Sequence, residues 1–581
     1  MRRAANRRAA NTVAAVAVAL LTAVGLGACA QIPTSGPVRV GTAPVEPQAD
    51  IAMLPRGPMP GTEPQAIVSG FLGAAAAAAT SPKEFQTARE FLTADVSVAW
   101  NPDEAVRVVR EAPLPEPLEE EIDLGTTDTV EIVVKATTIA TLDSTGAYTE
   151  VGSPREVGYR FTLVMVGGEW RISALDNGVL VPANLFANQY RATRLYFPSA
   201  NEVTTLVPDL RWFPRRLWQK VAVEQILAGP PEWLQGATQS LVPDGTGLVS
   251  PSVQSRDDAD VVPIRLTEQI SEVPAAQRAV IAAQFSATLS EGAGRVIPVE
   301  LFSNQNRLSV DAADVDLPAT IAQAIVLQDD SLFRVDDGRL VEHDVSVDLS
   351  GIDPTALAVS PGTTPIVVRD GTDRIVNLSL DEGEGPVPVL EGSDLAAPSV
   401  DKFGSTWTSG DAGKLRVATD ALDVVELKPE WLKGRRVISV SVSPEGSRVA
   451  VVSETPSGRQ VQVAGIVRDA EHAPVSLAPA LSVAAPVADV VEARWAGLTT
   501  LALLTRNGQG TSSVWNAGVG GLAGTAGQSR QLPGLTDVVQ IAAGVNDEGI
   551  LVLTEDGSLE HEETGVWQPI AEDVDLVSYP G

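Results

Sequence analysis

Hydrophobic positions change their period several times along this chain. Arg2, Arg3, Arg7 and Arg8 precede a mostly apolar run from Thr12 to Leu26, with Val13, Val16, Val18, Leu20, Leu21 and Val24. That run has the length of a signal peptide and is too short to span a bilayer. Between residues 30 and 62 no apolar period survives among Pro33, Pro37, Pro44, Pro47, Pro55, Pro58 and Pro60, which predicts an extended, semi-stiff tether. Helical spacing begins at Thr62, where Thr62-Glu63-Pro64-Gln65 reads as a capping box ahead of Ile67 and Phe71. Ser81-Pro82-Lys83-Glu84 reads as a second box, opening a helix over Phe85 to Leu92. Alternation then predicts strands over Thr129 to Leu142, Arg155 to Val166 and Glu169 to Leu175. Helices followed by a meander make residues 62–188 an α+β domain.

The next segment, 189–325, mixes both periods. Ala192 to Phe197 reads as a strand, and Leu217 to Ala228 as a helix stopped by Gly229-Pro230-Pro231. A strand ends near Val261 to Leu266, and Ile281, Phe285 and Leu289 stripe a helix over Ala275 to Ser290. From residue 326 the helical period disappears. Short β-runs repeat about a Ser-Pro turn: Val359-Ser360-Pro361-Gly362 before Ile366-Val367-Val368, and Val442-Ser443-Pro444-Glu445-Gly446 before Val449-Ala450-Val451. Units start about 40 to 50 residues apart, the spacing of propeller blades. Residues 326–581 are therefore expected to form an all-β propeller of five or six blades. Ser331 to Leu340 and Ser558 to Gln568 are the hairpins expected to close it. A pair of β-sandwiches would fit the composition but not the repeated turn.

Charge and cysteine usage change the picture in two ways. The chain has 581 residues, 42 basic and 74 acidic, for a net charge of −32. Such a balance argues against a nucleic-acid partner, since phosphate binding needs a cationic surface. The single cysteine, Cys29, cannot make an intramolecular disulfide. It sits at the end of the apolar run in Leu26-Gly27-Ala28-Cys29, which resembles the lipobox of bacterial lipoproteins. That resemblance implies cleavage of residues 1–28 as a signal peptide, followed by S-diacylglycerol and N-acyl attachment at Cys29. Residues 29–61 would then be a lipidated tether anchored to the outer face of the cell membrane. Cleavage removes four arginines and no acids, taking the net charge from −32 to −36.

The domains carry resemblances of their own. Gly167-Gly168-Glu169-Trp170-Arg171-Ile172 is similar to the closing strands of nuclear-transport-factor-like cones, expected here to be packed and empty. Leu195-Tyr196-Phe197, Ala228-Gly229-Pro230, Val242-Pro243-Asp244-Gly245-Thr246 and the Phe285 to Leu289 helix resemble the GerMN domain of sporulation and germination proteins. The Ser-Pro-x-Gly turn is similar to that of TolB-like propellers. A lipobox, an α+β domain, a GerMN-like domain and a propeller, in that order, resemble the actinobacterial LpqB lipoproteins. The resemblance implies a non-catalytic, membrane-anchored protein linked to a two-component sensor histidine kinase of the MtrB type. Its partners would be the cytoplasmic-membrane bilayer, through the lipid anchor, and the kinase's extracytoplasmic domain. The alternative is a cell-wall module that binds muropeptide or glycan without signalling.

Catalytic chemistry is hard to find in this sequence. Gly510-Thr511-Ser512-Ser513-Val514 lacks the last glycine of a nucleophile elbow, and Gly413-Lys414 lacks the rest of a phosphate loop. Gly518-Val519-Gly520-Gly521-Leu522-Ala523 matches a dinucleotide fingerprint by letter, but with no good helix after it the run is expected to be a surface loop. His343, His472 and His561 are far apart in sequence, and Asp336-Asp337-Gly338 and Glu555-Asp556-Gly557 read as turns. No catalytic residue, metal or cofactor is expected. One segment runs against the global charge: Arg211, Trp212, Arg215, Arg216, Trp218 and Lys220 lie within ten residues. They form a candidate docking patch for an anionic headgroup, a wall polymer or an acidic partner. The plainer reading gives an aromatic core with a solvated cationic helix face.

Overall fold

A computed structural model describes residues 55–581 apart from 81–83, 117–126, 250–252, 254–260, 291–294, 312, 318–322, 344–346, 363, 379–384, 411–412, 545–548 and 564. The signal-like run, Cys29 and most of the tether lie outside the described residues. The described chain belongs to one compact unit.

Helix Pro64–Ala76 buries Ile67, Val68, Phe71 and Leu72. The expected capping box is not made. Pro64 sits at the first helical position, so Glu63 becomes the N-cap and makes no side-chain bond, while the Thr62 hydroxyl donates to Met59 O at 2.6 Å. The second helix is only Gln86–Arg89, and its expected box begins in residues outside the description. The sheet runs in the spatial order Glu169–Ala174, Glu156–Val166, Thr129–Leu142, Val106–Val109, Val179–Pro182. All neighbours are antiparallel except the last pair. Alternate burial along Thr129–Leu142 turns Val130, Ile132, Val134 and Ala136 into the core, where Phe71 meets Trp100 and Phe161 edge-on.

In the second domain, Tyr190–Pro198 pairs with Leu206–Pro214 across nine registered positions, from Tyr190 opposite Pro214 to Pro198 opposite Leu206. Helices Trp218–Ala228 and Ala275–Ser290 and the parallel pair Val262–Leu266 and Val299–Ser303 complete it. Ile226, Ile281, Phe285 and Leu289 share its core with Leu195, Phe197 and Phe213.

The third domain is a propeller of six blades, the upper of the two expected counts. The first blade holds Ile325–Gln328, Ser331–Asp336 and Arg339–Glu342. The others open with Pro354–Val359, Ser399–Val400, Arg436–Val442, Val490–Trp495 and Val538–Ala543. These opening strands neighbour one another around the centre. Closure differs from the expectation: Leu576–Ser578 pairs antiparallel with Ile325–Gln328 and becomes the inner strand of the first blade. Ser331 to Leu340 stays inside that blade, and Ser558 to Gln568 lies in the sixth. A strand of three residues, without alternation of its own, is invisible as a closing element in sequence. The Ser-Pro-x-Gly turn works as a clip: Ser443 Oγ accepts from Arg448 N at 3.1 Å, and Gly446 N donates to Ser443 O at 2.8 Å.

Candidate docking surfaces

The candidate patch is split by its own backbone. Arg211 and Trp212 do not belong to a helix face; they lie in strand Leu206–Pro214, buried along eight successive residues. Both sides of this strand are covered because the ribbon is wedged between the first domain and the propeller. Arg211 donates to Asp209 at 2.7 Å and to Thr145 O at 3.0 Å. Trp212 Nε1 donates to Gly520 O at 2.9 Å, and its ring packs with Phe186 and Tyr148. These two residues are therefore removed from any docking surface. The other four lie further out. Exposed Arg215 donates to Asn188 O at 2.8 Å and to Ala187 O at 3.4 Å, covering the last carbonyls of helix Ala183–Gln189. Arg216 is exposed, Arg191 stands 4.1 Å over the Trp218 ring, and Lys220 pairs with Glu224 at 2.7 Å.

Three ion pairs have almost no solvent contact, one within the ribbon and two within the propeller. Besides Asp209–Arg211, Arg448 grips both oxygens of Glu445 through Nε and Nη2 at 2.5 and 3.1 Å, with 1% of each side chain exposed. Its remaining nitrogen donates to Pro208 O at 3.3 Å, and Trp495 lies under it at 4.4 Å. Arg468 meets Asp401 at 2.6 Å, and Asp401 also accepts from Trp407 Nε1 at 2.8 Å. Burial pushes the Asp209 carboxyl above the ordinary range, with Arg211 and a Trp233 hydrogen bond pulling it back. Buried pairs of this kind need every polar atom satisfied to offset desolvation. Each pair lies inside one domain, and it is the further bonds of Arg211 to Thr145 O and of Arg448 to Pro208 O that reach from one domain to the next. Lys402 with Glu202, and Asn201 with Asp469 O at 2.7 Å, extend the same seam.

The Gly-rich run 518–527 also departs from expectation. It is no free surface loop, since Gly518, Val519, Gly521 and Gly527 are buried against the first two domains. A Cβ on Gly527 (φ 86°) would stand 2.3 Å from the Tyr148 ring, and one on Gly520 (φ 88°) 2.4 Å from Leu210 O. The glycines thus permit close backbone approach. Next to them Ser529 N and Oγ donate to the Glu150 carboxylate at 2.8 and 2.7 Å. Burial raises the Glu150 pKa, and those two bonds hold it back.

A hollow between the inner strands of the fourth, fifth, sixth and first blades, lined by Ser441, Arg494, Ala542 and Val577 among others, holds about 20 Å³, and a hollow in the first domain beside Phe71, Arg107 and Tyr159 is equally small. Each is about large enough for one water. Glu492, on the inner strand of the fifth blade, is engaged by Arg494 at 2.7 Å and Ile541 N at 3.1 Å. Among the described residues no three His, Cys, Asp or Glu side chains could hold a metal, and no helix is long and apolar enough to cross a membrane. A wider open groove of about 540 Å³ runs between Arg530, Gln531, Leu532, Pro533, Glu562 and Gly565.

Comparison with known proteins matches these three bodies separately. Residues 57–187 fit the N-terminal domain of lipoprotein LpqB, 194–309 the sporulation and spore germination (Germane) domain, and 330–580 the LpqB beta-propeller domain. Lipoprotein LpqB of Streptomyces avermitilis is 26% identical over 96% of this chain and 97% of its own length. The chain belongs to the LpqB lipoprotein family. LpqB of Bifidobacterium longum is 26% identical over 80% of each chain, and that of Nocardia farcinica 30% over 44% of this chain and 40% of its own. Among solved structures, TolB from Acinetobacter baumannii covers 56% of this chain and 82% of its own at 12% identity, with a TM-score of 0.33. Arg211, Arg448 and the Gly-rich clasp lie where the three matched regions meet. Glu150, Asp209, Glu445 and Arg448 were not picked out from sequence. The available signal was charge inside otherwise apolar strands, as in Val207-Pro208-Asp209-Leu210-Arg211-Trp212.

Proposed function

We propose that the protein is an extracytoplasmic scaffold, held at the cell membrane by lipid on Cys29, that modulates an MtrB-type sensor kinase without catalysing a reaction. The observation that carries this reading is the joining of three domains into one body by hydrogen bonds across their boundaries, from Arg211 to Thr145 O, Arg448 to Pro208 O, Trp212 to Gly520 O and Ser529 to Glu150, and by a shared apolar cluster. Such a body offers fixed outer surfaces, and signalling through surfaces requires that they bind one kinase state more tightly than the other. A lipid anchor would raise the effective concentration of such a weak pair by confining both partners to one plane. In-membrane crosslinking of the full chain, with mass identification of partners, tests it. The kinase should be captured by the wild type and lost with Cys29→Ala, which should also release the protein from the membrane. Capture of no kinase from any part of the surface would remove the signalling role.

A second reading, binding of muropeptide or glycan, is favoured by the open groove at Arg530. There Arg, Gln and Glu side chains lie beside Leu532 and Pro533, and Trp567 Nε1 donates to Pro533 O at 2.8 Å. Polar groups next to an aromatic ring suit a sugar. Saturable binding of wall fragments, lost with Arg530→Ala, would favour this reading over signalling.

A further inference from the structure

Charge is divided across the propeller in a way the net value conceals. Residues 402–436 hold four of the chain's seven lysines and three arginines against five acids, a net charge of +2 in a chain of −32. Residues 531–581 hold eleven acids and no lysine or arginine. Lys402 of the first stretch faces the second domain, where it pairs with Glu202. Lys414, Lys428, Lys433, Arg435 and Arg436, however, share one face of the ring with Asp537, Glu555, Asp556, Glu572, Asp573 and Asp575 of the second, at opposite ends of a diameter.

Which face this is follows from the hairpins. In each blade the turn after the inner strand, and the turn two strands later, point toward the other two domains. Ser447 meets Ser199, Arg448 meets Pro208, Asn201 meets Asp469, and Trp212 meets Gly520. The remaining turns and blade connections project the opposite way. At the junction of the third and fourth blades they carry Lys414, Lys428, Lys433, Arg435 and Arg436. The side chains of Lys428, Lys433 and Arg436 are 58%, 78% and 59% exposed. Their acidic neighbours are Glu426, which serves both Lys414 and Lys428, Glu430 beside Lys433 at 3.5 Å, and Asp394 and Glu454 beside Arg436 at 3.2 and 4.0 Å. Arg435 donates to the amides of Gln460 and Gln462, so five cations stand against four acids.

Three blades away in either direction, at the junction of the sixth and first, the same face carries exposed Asp329, Asp330, Asp537, Glu555, Asp556, Glu572, Asp573 and Asp575. They are held close: Asp329 N donates to Asp575 at 3.1 Å, Gln328 to Glu572 O at 2.9 Å, and Glu555 N to Asp537 O at 3.0 Å. The Glu560 carboxyl behind them is raised by burial and by the charges of Asp537 and Asp556.

A face that is basic at one end of a diameter and acidic at the other is complementary to itself. Turned over about an axis in its own plane, perpendicular to that diameter, it lays the basic sector of one copy on the acidic sector of the next, twice. This is the isologous arrangement of a two-fold dimer. We propose that the free face of the propeller pairs with the same face of a second copy of this chain, through the basic sector at Lys428–Arg436 and the acidic sector at Glu555–Asp575. The overall negative charge opposes association only weakly at physiological salt, because screening acts over about 8 Å whereas apposed side chains lie well inside that distance. Pairing of this kind depends on ionic strength and on sign matching at each sector.

The test uses two differently tagged full-length copies, co-expressed and extracted from membranes in mild detergent. Each tag should recover the other copy, with less recovery as salt rises. Lys428→Glu with Lys433→Glu and Arg436→Glu in both copies should cut recovery at least tenfold. So should Glu555→Lys with Glu572→Lys and Asp537→Lys in both. Combining one basic-reversed with one acid-reversed copy should restore the recovery, because both contacts of that mixed pair again join opposite charges. Unchanged thermal unfolding of each variant serves as the folding control. No recovery of wild type at low salt, or recovery indifferent to both reversals, would overturn the proposal. Loss in both reversals without any rescue in the mixed pair would also overturn it. Kinase capture is scored separately in the same extracts, so failure of self-pairing and failure of the signalling reading remain distinguishable.

Discussion

Arg448 has 1% of its side chain exposed and spends its donors on Glu445 and on Pro208 O of the neighbouring domain. Glu445→Gln alone should destabilise the protein by about 3–5 kcal/mol, because it leaves a buried cation without its counter-charge. Glu445→Gln with Arg448→Met should cost markedly less, and urea unfolding of the two variants measures the difference. Glu150 makes a prediction of opposite character. Its folded pKa is raised, so the folded state holds the proton more tightly than the unfolded chain. Its contribution is therefore most favourable below the ordinary Glu range and is lost as pH rises from about 4 through the folded value. Glu150→Gln keeps an oxygen for Ser529 N and removes the titration. Its unfolding midpoint should gain on the wild type between acid and neutral pH, and a constant difference would refute the assignment.

Elements were legible where one period ran long enough. Helix Ala275–Ser290 and strand Thr129–Leu142 stand where their patterns put them. Strand Leu206–Pro214 was not legible, because a strand covered on both sides loses alternation and two charges in it resemble surface. The same cause misplaced Arg211 and Trp212 as docking residues. The Gly-rich run was misread for a related reason: glycine signals a loop equally well whether it faces water or another backbone. Gly527→Ala puts a methyl into the Tyr148 ring at a left-handed φ. It should loosen the contact between the first domain and the propeller, seen as faster proteolysis in residues 518–529 and a lower melting temperature. Gly524→Ala, at φ 85° with nothing within 4 Å of the added carbon, should show only the smaller backbone penalty.

At the scale of the molecule, the cores do not respect the domain boundaries. Val207, Trp233 and Leu234 of the second domain pack in one buried cluster with Val452, Val463, Trp495, Leu503 and Val519 of the propeller. Gly465 admits this contact, since a Cβ there would stand 2.7 Å from that of Ala237. Burying side chains of this size contributes about 1.5–3 kcal/mol each. The shared cluster thus adds a hydrophobic term to the hydrogen bonds of Arg448 with Pro208 O and of Trp212 with Gly520 O, and separating the domains would break both together. Leu234 has no measurable exposure. Leu234→Asp should therefore do more than destabilise the second domain, because it drives a charge into the interface itself. Calorimetry of the wild type should show the second domain and the propeller melting in one transition, and the variant should split that transition in two. Two transitions in the wild type would mean that the domains are only apposed. A single, merely shifted transition in the variant would mean that the second domain and the propeller cannot fold apart at all.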